Sequence, residues 1–218
     1  MTSYDIMFRL CSNVGPLAQE NKLYQFPDES TGQKDPFEYT FGAQQFPWMG
    51  KPENREYGLA FEDFMTGRRA ATWNKWFNTF PAKENLPSRP LKTDPDAVLL
   101  VDVAGGQGYW TQQFHDHIGD SLPGKLIVQD QPFVIEKAQL KGVEAMTHNF
   151  FEPQPIRGAR VYYFKQIMHD WPDKTCQTIL KHTVDAMDSD YSTLLIDDFV
   201  LPEQGVGLRQ SGLVSDMW

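Results

Sequence analysis

Hydrophobic residues in the second half of the chain form short continuous runs, and segments with a helical period separate them. The runs predict five β-strands, at residues 98–103, 125–129, 143–147, 161–166 and 193–196. Helices are predicted at residues 110–118, 132–140 and 172–187. Strands that are apolar throughout are typical of a sheet buried on both faces. Their alternation with helices therefore predicts an α/β fold with a parallel sheet.

The first half of the chain has a different pattern. Residues 1–50 keep neither a helical nor a strand period for long, and we expect an irregular segment there. Its many aromatic residues favour docking against the rest of the chain, a partner subunit or a flat ligand. Between residues 52 and 77, large apolar side chains recur at three- and four-residue steps and predict helix. Met65, Trp73 and Trp76 belong to this stripe, either in the core or as the wall of a pocket.

Two domains are expected from this change of pattern. Residues 1–95 would form an irregular and helical N-terminal region that lines a substrate pocket, and residues 96–218 would form the strand-and-helix core. The core would stop just after another helix begins, so we expect it to be shortened at its C-terminal end.

A glycine-rich turn, Ala104 to Gly108, directly follows the first predicted strand. Glycines in such a turn let the backbone pass close to a ligand, which is typical of nucleotide-type cofactor sites. The turn reads Ala-Gly-Gly-Gln-Gly and lacks the G-x-G-x-x-G spacing of dehydrogenases, so a dehydrogenase is a less favoured alternative.

Polar residues follow the other predicted strands in order, at the edge where ligands bind in open parallel sheets. They are Asp130, Asn149, Lys165, His169 and Asp198, with Phe150 beside Asn149. Asp130 is suited to accept hydrogen bonds from ribose hydroxyls, and Asn149 could bind the edge of an adenine. Each residue also has an ordinary alternative, since Asp130 could cap a helix and His169 could lie at the surface. Their shared position at one edge favours a cofactor site.

Composition excludes several classes of protein. The 218 residues carry a net charge of −9, which argues against a nucleic-acid partner and against an acidic membrane surface. No apolar run approaches the length of a membrane span, and no secretory signal is visible. The two cysteines, Cys11 and Cys176, fit free thiols in a reducing compartment, so we expect a cytoplasmic protein. No pattern suggests a metal site.

Five segments carry a resemblance to a known family: AVLLVDVAGGQG, LIVQDQP, HNFFEPQP, ARVYYFKQIMHDWPDK and LLIDDFVLP. They resemble the S-adenosylmethionine-dependent O-methyltransferases of the plant caffeate type, and in particular the fungal members of secondary metabolism. The resemblance runs from about Phe37 to Trp218. It implies a Rossmann-like class I methyltransferase fold, with helices on both faces of a mostly parallel sheet. The implied reaction methylates a phenol or enol oxygen of a small aromatic or polyketide metabolite.

The resemblance also implies roles for individual residues. Ala104, Gly105 and Gly106 would approach the methionine part of the cofactor, Asp130 its ribose, and Asn149 and Phe150 its adenine, with Lys165 nearby. His169 would be the general base and Asp198 would hold its imidazole. Met65, Trp73 and Met168 would line the substrate pocket.

The chain departs from the family pattern at several positions. Ala104 replaces the first glycine of the turn, which we expect to be tolerated only if its φ is negative. Asn149 replaces an aspartate, Gln131 a leucine, and Asp198 a glutamate that would reach one methylene further.

From the resemblance we expect the family's N-terminal dimerisation region and last strands to be missing, which weakens the expectation of a homodimer or a partner chain. The alternative function is a methyltransferase-fold protein that no longer methylates. It would serve as a partner subunit, a scaffold or a catalyst of a ring-forming, pericyclase-like rearrangement.

Overall fold

The computed structural model describes residues 3–21, 34–70 and 75–198. Its N-terminal helices are α1 (Ser3–Asn21), α2 (Pro36–Phe41), α3 (Gln45–Met49), α4 (Arg55–Ala70), α5 (Trp76–Thr79) and α6 (Ala82–Asn85). The strands are β1 (Val98–Val103), β2 (Lys125–Asp130), β3 (Glu144–Thr147), β4 (Val161–Lys165) and β5 (Thr193–Asp197). The helices among them are α7 (Tyr109–Ile118), α8 (Pro132–Ile135) and α9 (Asp173–Val184).

The five strands form one parallel sheet with the order β3-β2-β1-β4-β5. This confirms the predicted α/β fold. The chain builds outward from β1 through β2 to β3, and then returns to the other side of β1 with β4. Ligands in such sheets bind at the carboxyl edge where the strand order reverses, which here is the edge beyond β1 and β4.

Side chains of β4 alternate between two buried layers. Tyr163 packs with Phe114 of α7 in one layer, whereas Tyr162 and Phe164 pack with Ile179 of α9 in the other. All five side chains are at most 1% exposed. Covering both faces of the strand explains why its sequence is apolar throughout rather than alternating.

Three predicted elements in the second half of the chain end earlier in the structure than in the sequence analysis. The helix predicted at 172–187 stops at Val184. The helix predicted at 132–140 stops at Ile135. The strand predicted at 161–166 stops at Lys165, because Gln166 takes a left-handed conformation with φ of 55° and turns the chain out of the sheet.

The expectation of an irregular segment over residues 1–50 is wrong for the described residues, because α1 alone contains 19 residues. Ile6, Leu10 and Leu17 share one face of α1 and are buried. Pro16 and Gly15 lie within the helix and obscure this period in the sequence. Although proline disfavours a helix interior, the buried face outweighs that local preference.

The aromatic residues of this region pack mainly on one another. Phe37, Phe41, Trp48 and Tyr57 form a chain of ring contacts whose centroids are 4.6 to 5.5 Å apart. Such contacts stabilise tilted and edge-on pairs beyond simple burial. These four aromatic residues therefore pack within the chain, which is the first of the three roles expected for them.

The described residues divide into two compact units at Met65. The sequence pattern favours a boundary at residue 95, but Arg160 of the sheet unit donates hydrogen bonds to the Leu86 carbonyl at 3.0 and 3.1 Å. Trp76 and Phe77 are buried in the same core as β1 and β4. Across the described ranges, no helix is both long enough and apolar enough to cross a membrane.

Candidate active site

The glycine turn after β1 has no room for a side chain at its second position. A Cβ added to Gly105 would lie 2.6 Å from the Asp102 carboxyl group and 2.6 Å from the Val128 side chain. Asp102 is fixed in turn, because its carboxylate accepts a hydrogen bond of 2.5 Å from the hydroxyl of Thr111 in α7. The turn therefore packs closely against β2, and at Gly105 it presents only backbone atoms at the sheet edge.

Asp130 connects the end of β2 to this turn. Its Oδ2 atom accepts the Gly106 N–H at 2.8 Å, and its Oδ1 atom accepts the Gln131 N–H at 2.7 Å. A carboxylate oxygen can accept more than one hydrogen bond, so a carboxylate at this position is chemically suited to bind hydroxyl groups. It does not cap α8, whose N-cap is Gln131.

Ala104 corrects one expectation from the sequence. Its φ is 57°, in the left-handed region, rather than negative. Alanine there brings Cβ close to the following carbonyl oxygen and costs about 1–2 kcal/mol. The turn geometry imposes this conformation, because Gly105 must follow directly at the close contact with Asp102 and Val128.

Asn149 and Phe150 follow β3. The side-chain oxygen of Asn149 accepts the backbone N–H of Phe151 at 3.1 Å and closes a local turn, which leaves its amide nitrogen outside that bond. Phe150 is half-buried, with ring centroids 4.8 Å from Phe151 and 5.8 Å from Trp171. A flat ligand would meet a preformed aromatic surface here.

Lys165 ends β4 and is paired with Asp197, a residue outside the predicted site. Its Nζ atom lies 2.6 Å from Oδ2 of Asp197 and 5.2 Å from the ring centroid of Trp110. The register of β4 with β5 sets Lys165 beside Asp197, so the ends of two neighbouring predicted strands could have indicated the pair.

His169 lies in a 3₁₀ turn, Met168–Asp170, that follows β4. Its Nδ1 atom is 2.6 Å from Oδ1 of Asp198, just beyond β5, and both side chains are less than 20% exposed. The second oxygen of Asp198 accepts the Met168 N–H at 3.1 Å. An imidazole held at Nδ1 by a carboxylate is oriented to exchange a proton at Nε2.

Asp170 is a further acidic group at this turn that sequence reasoning did not select. Its Oδ1 atom lies 3.4 Å from Nε2 of His169. Burial raises the pKa of Asp170 to about 6, and the nearby charge of Asp198 adds to the rise, although His169 opposes it. The imidazole therefore has a carboxyl group near each of its nitrogens.

The three residues predicted to line a substrate pocket stay a prediction, and each is described by its own surroundings. Met168 packs against the core layer of Phe164 and Ile179. Met65 is half-buried in α4, within the other compact unit. Trp73 lies outside the described residues.

Residues 25–217 match the family model of the O-methyltransferase domain. The chain belongs to this O-methyltransferase family. Asp198 stands where we expect a glutamate in this family. Its shorter side chain still reaches the imidazole of His169, at 2.6 Å.

Fungal relatives share much of this O-methyltransferase sequence. The methyltransferase cfoC of Aspergillus candidus is 39% identical over 78% of the chain, which spans 43% of that relative. The demethylsterigmatocystin 6-O-methyltransferase of Aspergillus parasiticus is 39% identical over 90% of the chain, which spans 48% of that relative. The chain thus spans about half the length of these curated relatives.

Solved structures agree with the fold. A structure described as a pericyclic reaction enzyme superposes with a TM-score of 0.80 and 28% identity, over 97% of this chain and 53% of that one. This neighbour shares the class I methyltransferase architecture with the O-methyltransferase chain described here.

Proposed function

We propose that this chain binds S-adenosylmethionine and transfers its methyl group to a phenol or enol oxygen of a small aromatic or polyketide metabolite. The observation that carries the proposal is the pairing of His169 with Asp198 at 2.6 Å, on the same sheet edge as the turn held by Asp130. The activity of the whole protein is part of the proposal, since the chain spans about half of its relatives.

The residues present fit the cofactor by their chemistry. Gly105 has no room for a side chain, so the turn runs along the sheet edge as backbone alone, and the Asp130 carboxylate is chemically suited to accept hydrogen bonds from ribose hydroxyls. Ala104, Gly105 and Gly106 would contact the methionine part, whereas Asn149 and Phe150 would flank the adenine. Lys165 would lie beside the cofactor, at the edge where the strand order reverses.

The proton chemistry would belong to His169. A phenol is a weak nucleophile until it is deprotonated, and a neutral imidazole has a suitable pKa range to remove that proton. Asp198 would hold the Nδ1 tautomer and stabilise the imidazolium that forms. When bound, the cofactor supplies a sulfonium-activated methyl group, and the protein's main task is alignment with the acceptor oxygen.

Two measurements test this proposal. Calorimetry with the purified chain should detect binding of S-adenosylmethionine, and no heat at millimolar cofactor would contradict it. Mass spectrometry of a panel of phenols and enols incubated with chain and cofactor should detect a methylated product that requires both. Met65, Trp73 and Met168 are proposed to contact the acceptor, and their replacement should change which phenols react.

A second candidate is a ring-forming rearrangement without methyl transfer. The likeness to the structure described as a pericyclic reaction enzyme favours it, at a TM-score of 0.80. His169 and Asp198 would then donate a proton or hydrogen bond, and the bound cofactor would contribute positive charge only. Substrate consumption without formation of S-adenosylhomocysteine would support this candidate over methylation. A partner-subunit or scaffold role would instead give cofactor binding without either reaction.

We further propose a cytoplasmic location and an association with a second copy or a partner chain. Both extend the expectations from composition and from the family resemblance. Sedimentation of the purified chain with and without cofactor tests the second of them.

A further inference from the structure

The pair of Lys165 and Asp197 is held in a semi-buried position between the ends of β4 and β5. The side chain of Lys165 is 15% exposed and that of Asp197 is 37% exposed, and the charged atoms are 2.6 Å apart. Contacts of this kind at low exposure are screened less by solvent than surface ion pairs. The net charge at the ends of β4 and β5 therefore depends on both Lys165 and Asp197.

Tyr163 also holds the carboxylate of Asp197 in place. Its hydroxyl donates to the same Oδ2 atom of Asp197 at 2.9 Å. The ring of Tyr163 is buried and stacks on Trp76 with centroids 4.7 Å apart. Because the tyrosine cannot move without disturbing this core, Asp197 is held toward Lys165.

The ammonium of Lys165 also lies close to the proposed cofactor site. It is 5.2 Å from the ring centroid of Trp110, which is the second residue of α7. That helix begins directly after the glycine turn, with Gly108 as its N-cap. The parallel register pairs Val103 at the end of β1 with Phe164, so Lys165 comes next to Ala104, where the glycine turn begins. A positive charge on Lys165 is thus near the backbone proposed to approach the methionine part of the ligand.

This position creates an electrostatic problem for a methyl donor. S-adenosylmethionine carries a sulfonium charge, whereas S-adenosylhomocysteine, the product left after methyl transfer, lacks both the methyl group and that charge. An uncompensated ammonium nearby would repel the donor and not the product. Preference for product over donor would slow turnover.

We propose that Asp197 neutralises Lys165 and thereby sets the preference of the site for the cationic methyl donor over its neutral product. Asp197 is a positioning residue in this proposal, because it acts through Lys165 and need not touch the ligand. The inference rests on the proposed function, since it requires that the cofactor site be occupied by these two ligands.

The test measures the dissociation constants of both ligands, S-adenosylmethionine and S-adenosylhomocysteine, by calorimetry on the full chain. Asp197→Asn keeps the size of the side chain and removes its charge. We expect the ratio of the donor constant to the product constant to rise about 3- to 10-fold, as a unit charge several ångströms away would produce in a partly screened site. A purely structural defect would weaken both ligands alike and leave the ratio unchanged.

A matched control exists in α9. Lys181 and Asp185 form an ion pair of the same 2.6 Å length, but both side chains are more than half exposed. Asp185→Asn removes the same charge from the chain, and we expect it to leave the ratio within about twofold of the unaltered value because exposed charges are screened.

Lys165→Met provides an independent arm if Asp197→Asn does not fold. It leaves the carboxylate uncompensated, so the ratio should fall by a similar factor. The double variant should return the ratio close to that of the unaltered chain. The inference alone would be overturned if Asp197→Asn bound both ligands with an unchanged ratio of dissociation constants. If only Lys165→Met folds, an unchanged ratio in that variant would overturn it in the same way. Binding of neither ligand to the unaltered chain would overturn the proposed function as well.

Discussion

The Nδ1 atom of His169 lies 2.6 Å from Oδ1 of Asp198, and the other oxygen of the same carboxylate accepts the Met168 N–H at 3.1 Å. One side chain beyond β5 therefore orients both the imidazole and the turn that carries it. The geometry explains how a turn that contains no fully buried residue can hold a base in a defined orientation.

The first prediction follows from this shared carboxylate. Asp198→Asn should lower the rate of methylation about 100-fold or more, because the tautomer and the imidazolium lose their support. His169→Gln should cause a similar loss, and the double variant should be little worse than either, since the two residues act as a unit. Single-turnover kinetics measures the rate, and calorimetry should find cofactor affinity within about threefold.

Asp173 supplies the control for this experiment. It is an exposed aspartate in the first turn of α9, and Asp173→Asn removes a charge of the same sign close in sequence. This variant should retain the unaltered rate. Full activity in Asp198→Asn would show that the carboxylate does not support the base.

The second prediction concerns the glycine turn. Gly105→Ala should destabilise the chain by about 1–3 kcal/mol, because the new methyl group overlaps the Asp102 carboxyl group and the Val128 side chain. It should also weaken cofactor binding, since the turn must move to relieve the overlap. Chemical denaturation and calorimetry measure the two effects.

Gly67→Ala is the matched substitution. Gly67 is exposed in α4, and no atom lies within 4 Å of an added Cβ. Alanine is the better helix former, so this variant should gain up to about 1 kcal/mol. Equal behaviour of the two alanine variants would contradict the role assigned to the contact at Gly105.

The sheet could be predicted from sequence because its three central strands, β1, β2 and β4, are buried on both faces. β1 and β4 read as continuous apolar runs, and the parallel order follows from their alternation with helices. The polar residues at the strand ends followed from the same argument, since parallel strands end at one edge. Asp198 and His169 could thus be selected without coordinates.

The features that escaped prediction depend on tertiary contacts. α1 contains Pro16, which local propensity counts against a helix, yet its buried face holds it together. The φ of Ala104 is imposed by the close approach of Gly105 to β2, a contact that no local pattern encodes. The partnership of Lys165 with Asp197 requires the register between two strands.

The third prediction uses the left-handed conformation of Ala104. Ala104→Gly should stabilise the chain by about 0.5–1 kcal/mol, because relief of the steric cost exceeds the greater entropy of glycine in the unfolded chain. Ala145→Gly, in the exposed strand β3, should instead destabilise it by about 0.5–1 kcal/mol. Denaturant unfolding measures both variants. Destabilisation of similar size in both would contradict the strain assigned to Ala104.

The fourth prediction concerns Asp170, whose pKa is raised to about 6 mainly by burial. A carboxyl group with a raised pKa in the folded state contributes stability below its unfolded pKa, and this contribution is lost as the pH rises through the folded value. At pH 7.5 the folded chain holds Asp170 ionised at a cost. Asp170→Asn removes that cost, so its Tm should exceed that of the unaltered chain by about 2–6 °C.

The difference should shrink as the pH falls from 7.5 toward 4, because Asp170 then becomes neutral in the folded chain. Thermal unfolding at pH 7.5, 6.0 and 4.5 measures this trend, with Asp173→Asn as the exposed control. A Tm difference that does not vary with pH would mean that the ionisation of Asp170 is not coupled to folding.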